Sequence, residues 1–305
     1  PLLTLTEASG RIAFTGSSMN IPEARGKLFG EPVQISGQTR ADGAVLISAS
    51  GSLTPAGVRR DLDWPWLANL SGQTGWRTEV VLPGHGPGVS VVVESSLSGL
   101  ASSLPAPFNK SALDAWPLRV EISPHAGSEG GNRIRASLDG VGGLDVMARG
   151  GKEGWQLSRG DIAIGQAVKV PDAGWTLRAS LKELDVDAWR RAMGSGEAAA
   201  GGGNAVPAGI PGSVSLQAGK LHVAGKTLQD LSLQASARSD GWQGSLKSRE
   251  AEGDFRWQSK DEGTLTERLT KFDPSLDLYI NYPNSFIEFL EQAVETFIKK
   301  QVAII

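Results

Sequence analysis

Acid–base or metal chemistry built on imidazole has three histidines to draw on, His85, His125 and His222. They are far apart in the chain, and none belongs to a ligand-spaced motif of the kind a metal centre needs. The sequence has no cysteine, which removes disulfides and thiolate metal sites together. No G-x-S-x-G nucleophile elbow occurs. Gly84-His85-Gly86-Pro87-Gly88 is glycine-rich, but it lacks the spacing and the following helix of a phosphate-binding loop, so it reads as a turn. Carboxylates are frequent on polar positions, and a pair for glycoside cleavage could be assembled across strands, yet nothing in the sequence selects one. The expectation is a protein that is not an enzyme, with no cofactor and no metal.

The elements that would position such groups are strands. Gly-Trp recurs at Gly75-Trp76, Gly154-Trp155, Gly174-Trp175 and Gly241-Trp242, each followed by alternation of apolar and polar residues. Side chains along a strand point to opposite faces with period two. Trp175, Leu177, Ala179 and Leu181 therefore share an apolar face, while Thr176, Arg178 and Ser180 share a polar one. Similar short rows are Ile12/Phe14, Val33/Ile35, Val45/Ile47/Ala49, Val89/Val91/Val93, Leu118/Val120/Ile122, Ile134/Ala136/Leu138, Val214/Leu216, Leu231/Leu233 and Phe255/Trp257. Each ends at Gly, Pro, Asp or Ser, the pattern of an antiparallel meander with one face buried. The tryptophans read first as core or boundary packing residues.

Helical signals are few. Thr54-Pro55 is an N-cap with proline in the first turn, opening a helix through Val58 and Leu62 that ends near Pro65. Leu184 to Met193 is a second helix. Residues 194–212, rich in Gly, Ala and Pro, read as a flexible linker or loop between a β segment at 1–193 and its continuation at 213–272. Residues 273–305 differ in kind. Ser285 and Glu288 form a capping box, and Phe286, Phe289, Leu290, Ala293, Val294, Phe297 and Ile298 follow helical spacing, which predicts one C-terminal amphipathic helix.

The formal net charge of −3 gives no basic excess for nucleic acid. No run approaches the roughly 18 consecutive apolar residues of a membrane span. The chain opens Pro1-Leu2-Leu3-Thr4, without a starting Met or a basic leader, and is expected to be an internal piece of a longer protein whose anchor lies elsewhere.

A one-sided sheet must cover its apolar face. The helical patterns are too short to blanket so many strands. Two solutions fit the pattern equally: a closed β-sandwich or barrel serving as a structural or adhesive surface module, or a sheet curled into a trough whose lining is covered by an apolar ligand.

Three segments bear on the choice. They are Leu53-Thr54-Pro55-Ala56-Gly57-Val58-Arg59-Arg60 leading to Leu70-Ser71-Gly72-Gln73-Thr74-Gly75-Trp76; Glu94-Ser95-Ser96-Leu97-Ser98-Gly99-Leu100 with Leu104-Pro105-Ala106-Pro107-Phe108-Asn109-Lys110; and Pro171 to Trp189. Their order and spacing resemble the AsmA-like proteins of Gram-negative bacteria, in particular the YhdP branch, over about residues 5–272. The resemblance implies a mostly β fold, a long antiparallel sheet curled into a hydrophobic groove. It implies a protein of the periplasm, anchored to the inner membrane in its full-length form by segments absent from this chain. It further implies passage of phospholipid between inner and outer membrane, with acyl chains in the groove and envelope proteins as possible partners. On that reading the lipid-contacting residues are Val91, Val93, Leu118, Val120, Ile122, Ile134, Leu138 and Leu177.

Overall fold

A computed structural model describes residues 4–272 apart from 63, 87, 126–130, 152–153, 194–211, 224 and 259–263. The expected C-terminal helix at 273–305 and all of the expected linker except Gly212 lie outside the described residues. The chain forms two compact units that divide between Arg149 and Gly150, with Pro105–Pro107 counted in the second.

The first unit contains β1 (Thr6–Gly10), β2 (Ala13–Phe14), β3 (Met19–Leu28), β4 (Glu31–Thr39) and β5 (Val45–Leu53). After α1 (Pro55–Asp61) and a 3-10 turn (Pro65–Asn69) come β6 (Leu70–Gly72), β7 (Thr74–Leu82), β8 (Ser90–Ser95) and β9 (Leu100–Ser102). β10 (Leu118–Pro124), β11 (Asn132–Leu138) and β12 (Gly142–Gly151) follow. β1 and β2 pair in succession with one edge of β3. The order then runs β3–β4–β5–β7–β8–β10–β11–β12, each strand antiparallel to the next. Among the described residues no pairing joins β12 back to β1, β2 or β3, so this is an open sheet and not a barrel. Alternation sets the strands, and tight turns set the meander. The β3–β4 turn places Phe29 and Gly30 at φ 55° and 82°, matching the right-handed twist of the flanking strands.

Two rows differ from the sequence reading. Ile12 falls in a break between β1 and β2, and it and Phe14 are 52% and 69% exposed. Val89 precedes β8 and is also exposed. The Gly84–Gly88 segment joins β7 to β8, and its Gly86 and Gly88 have φ of 85° and 104°, as a turn requires.

The second unit contains β13 (Gly154–Ile164), β14 (Gly174–Asp185), α2 (Val186–Met193), β15 (Ser213–Val223), β16 (Lys226–Arg238), β17 (Gly241–Lys247), β18 (Ala251–Gln258) and β19 (Thr264–Phe272). β15 through β19 are an antiparallel meander. β13, β14 and β15, however, are mutually parallel, which corrects the expectation of an antiparallel sheet throughout. A parallel neighbour requires the chain to return before starting the next strand. Because Arg159 faces Gly174, residues 165–173 must travel back about 17 Å of strand. Extended, that segment reaches about 30 Å.

Asp161, fully buried on the polar side of β13, pins this returning segment. Its carboxylate accepts the Lys169 amide at 2.6 Å, the Thr176 hydroxyl at 2.6 Å and Arg178 Nε at 2.9 Å. Arg178 also donates to Gln166 Oε1 at 3.0 Å and to the Ala167 carbonyl at 2.8 Å. Burial pushes the Asp161 carboxyl up, but Arg178, the Lys169 amide and Thr176 outweigh it and hold the group below the usual aspartate value.

The two helices arise where the sequence places them. Thr54 Oγ1 accepts the Gly57 amide at 3.1 Å, and Pro55 opens α1. α2 starts two residues later than Leu184, because Leu184 and Asp185 complete β14 and Asp185 Oδ1 caps the Ala188 amide at 2.7 Å. Val186, 1% exposed, joins Leu184, Leu216, Ala218, Leu221, Leu228, Leu231 and Leu233 in the main cluster of this unit. That cluster survives a change of alternation. Three adjacent strands kink together at Lys182, Gly219 and Asp230, where the pairing skips one step, and the apolar set passes from Leu181/Ala218/Leu231 to Leu184/Leu221/Leu228. Asp230 takes φ 52° there.

Candidate functional site

In the first unit the register lines up apolar residues from strand to strand. One row runs Ile21, Gly37, Ile47, Val80, Val91, Ile122, Ile134, Val146. The next runs Ala24, Ile35, Ala49, Thr78, Val93, Val120, Ala136, Leu144. Leu118 and Leu138 face each other in a third. Directly opposed residues share a face, and neighbouring strands are about 4.8 Å apart, so each full row extends roughly 34 Å across the sheet. Seven of the eight residues expected to contact lipid therefore stand on one face: Val91, Val93, Leu118, Val120, Ile122, Ile134 and Leu138.

The eighth, Leu177, lies in the second unit between Ile162 and Val214, in a row that continues through Ala235 and Gly244 to Phe255. Ile21, Ile47, Val80 and Val146 belong to the same face as Val91 but were not picked out by sequence reasoning. Period two assigns residues to faces within one strand; only register ties the faces of successive strands together.

Coverage of this face is partial. Ile122 and Ile134 are buried, at 6% and 4% exposure. Val91, Val93, Leu118, Val120, Leu138 and Leu177 are half-buried. A second packed layer would hide the central rows of a sheet as completely as its interior.

The opposite face carries a charge ladder. Arg77 pairs with Glu94 at 2.6 Å, Glu94 also takes Arg119, Arg119 reaches Glu121 at 2.5 Å, and Arg135 pairs with Glu121 at 2.8 Å. Arg133 pairs with Asp145 at 2.8 Å. Arg77 and Arg119 hold the Glu94 carboxyl below its usual value, and Arg119 does the same for Glu121. From β7 to β12 one face thus carries these ion pairs, with Val92 and Met147 among them, and the other carries the aliphatic rows.

Most of the first two segments that carried the family resemblance folds into a small cap on the first unit, while the third, Pro171 to Trp189, supplies β14 and the start of α2 in the second unit. β6 pairs with β9, and Val58, Leu62 and Leu67 form a core with Phe29, Leu53, Trp64, Trp66 and Leu70. Trp64 and Trp66 stack at 5.4 Å. At its centre Lys110, 5% exposed, donates to the carbonyls of Leu97 at 2.8 Å, Leu100 at 2.7 Å and Ser111 at 3.0 Å. Burial pushes the Lys110 ammonium down from its usual value. A hollow beside it is lined by Asn69, Ser71, Ser102, Ser103 and Asn109, but all three Lys110 donors are already used within the cap.

His222 is bound locally, with Nδ1 at 2.9 Å from Thr227 Oγ1 and Nε2 at 2.9 Å from Glu183. Among the described residues no group of three or more His, Asp or Glu gathers as a metal set, and no helix is long and apolar enough to cross a membrane.

Comparison with curated proteins gave no match, and comparison with solved structures gave none either. A family model described as YhdP protein matches residues 1–285, past Phe272, where the short motifs had placed the end of the resemblance. With an open, one-sided β sheet and that match over nearly its whole length, the chain belongs to the YhdP protein family.

Proposed function

We propose that this chain is a non-enzymatic conduit for phospholipid between the inner and outer membrane. Acyl chains lie on the apolar face, and head groups stay at its wet edge. The observation that carries the reading is the pair of apolar rows crossing eight consecutive strands while most of their side chains remain half-buried. Each CH₂ removed from water on such a surface gains roughly 0.8 kcal/mol. Passage needs no chemistry, only a lining without deep traps. Curling of the sheet into a groove, residence in the periplasm, an inner-membrane anchor outside this chain and envelope partners at either end belong to the same proposal, and membership of the family supports it.

The test is mass spectrometry of lipids that co-purify with the chain. Phospholipid bound in stoichiometric amount is the expected result. Absence of lipid, with a closed compact shape in solution scattering, would overturn the proposal in favour of a sandwich.

A further inference from the structure

The cap carries polar groups that a lipid-bearing sheet face does not use. Asn-x-Ser occurs in it twice, as Asn69-Leu70-Ser71 and Asn109-Lys110-Ser111. The two copies flank β9, because Leu70 pairs with Ser102 and Ser102 with Lys110. Successive side chains alternate faces, so Leu70 and Lys110 share one side of this ribbon and the Asn and Ser of each copy take the other. The first side is the interior: Leu70 packs on the cap core, and Lys110 spends its ammonium on the carbonyls of Leu97, Leu100 and Ser111.

The second side is open. The register, carried one step past each pairing, sets Ser71, Ala101 and Ser111 in one row and Asn69, Ser103 and Asn109 in the next. All of these line a hollow of about 380 Å³, at the small end of ligand sites. The lining holds hydrogen-bonding capacity in reserve. Among the described residues the Ser71 hydroxyl and the Asn109 carboxamide have no protein partner. Ser111 Oγ accepts the Leu113 amide at 3.2 Å and still has its proton to give, and Ser103 Oγ donates to the Asn69 carbonyl at 3.1 Å and still accepts. No charged side chain joins them: Lys110 is turned inward, and Asp114, which accepts the Ser111 amide at 3.2 Å, lies outside the lining. β6 and β9 form a sheet of their own, so none of these residues belongs to the apolar rows.

We infer that this hollow is a binding site for a neutral glycan. Hydroxyl and carboxamide groups both donate and accept, and sugar hydroxyls do the same, so each set satisfies the other. An oxyanion calls for a cation in the lining, and an acyl chain calls for an aliphatic one; the hollow offers neither. Its volume suits a short segment of sugar. The inference stands apart from the lipid conduit, which uses the sheet face.

The experiment screens the purified chain on an array of neutral and acidic oligosaccharides, with inorganic phosphate as a separate probe, and measures the affinity of the best neutral oligosaccharide by titration calorimetry. Neutral glycans should be retained, and acidic glycans and phosphate should not. Asn109→Ala and Ser71→Ala should each weaken the best neutral oligosaccharide roughly fivefold, the worth of one neutral hydrogen bond. Both side chains are exposed, so the thermal midpoint and the bound phospholipid should match the wild type. Retention of acidic glycans or phosphate alone would make the hollow an anion site and overturn the inference. So would an array that retains no neutral glycan, or neutral-glycan binding that both folded variants keep in full. Should Asn109→Ala fail to fold, Ser71→Ala decides the case by itself.

Discussion

Val120 of β10 stands directly opposite Val93 of β8, and both remain half-buried, while one step along the same ladder Ile122 opposite Val91 is 6% exposed. The two positions share a face but not an environment. A carboxylate at 120 keeps its water, so Val120→Asp should fold, with a loss of about 1–2 kcal/mol. It also sets a charge in the middle of the lining, and bound phospholipid should fall at least tenfold. Ile134→Asp, at 4% exposure, buries the charge and should unfold the first unit. Circular dichroism and lipid mass spectrometry on the two variants separate the cases. A folded Val120→Asp chain that keeps its lipid removes Val120 from the lining.

Leu177 offers the same test in the second unit, where it sits between Ile162 and Val214. Leu177→Asp should reduce bound lipid with the fold intact. The opposite face provides the control. Glu121→Gln breaks links to Arg119 and Arg135 on the charge ladder and should cost less than about 1 kcal/mol, with lipid content unchanged. Loss of lipid in Glu121→Gln would mean that the two faces are not functionally distinct.

Much of this architecture is legible in the sequence because it depends on local signals. Thr54-Pro55 caps a helix whatever surrounds it, and Gly174-Trp175 opens a strand by alternation alone. The parallel run β13–β14–β15 is not legible, because a strand has the same period in either direction and only the returning segment reveals the sense. Nothing local to Asp161 says that Lys169 and Arg178 will converge on it. The joint kink at Lys182, Gly219 and Asp230 is hidden for a related reason, since alternation changes phase there in three strands at once. Of the apolar face, Val91, Val120, Ile122 and Ile134 are readable from their own strands. That Ile21 and Val146 extend the same row depends on the register of every ladder between them.

Asp161 gives a pH dependence with a definite sign. Its folded carboxyl titrates below the unfolded value of 3.8, so the unfolded chain takes up the extra proton first as the pH drops. The stabilisation is therefore complete above about pH 4 and is lost as the pH falls through the folded value. Asp161→Asn leaves Arg178 facing a neutral amide and should cost about 3 kcal/mol at pH 7, near the low end for a broken pair because Arg178 keeps some solvent. The gap from wild type should narrow by pH 3. Hydrogen exchange of residues 165–178 at the two pH values measures it, and an equal gap at both would show that the charge on Asp161 is not what pins the segment.

The cap should come loose without the sheet. Lys110→Met leaves the carbonyls of Leu97, Leu100 and Ser111 without the donor that joins them, at a cost of about 2 kcal/mol. Gly72→Ala attacks the same β6–β9 pair from its other strand. Gly72 has φ 96°, and a Cβ there would lie 2.1 Å from the Gly99 carbonyl oxygen. The two variants touch neither apolar row, whose strands are held by their own ladders. Hydrogen exchange should therefore quicken across residues 96–112 in both variants while β8, β10 and β11 keep their protection, and bound phospholipid should stay near the wild-type amount. Uniform loss of protection would show that the cap holds the sheet together. Intact protection with lipid lost would transfer the site from the sheet face to the cap.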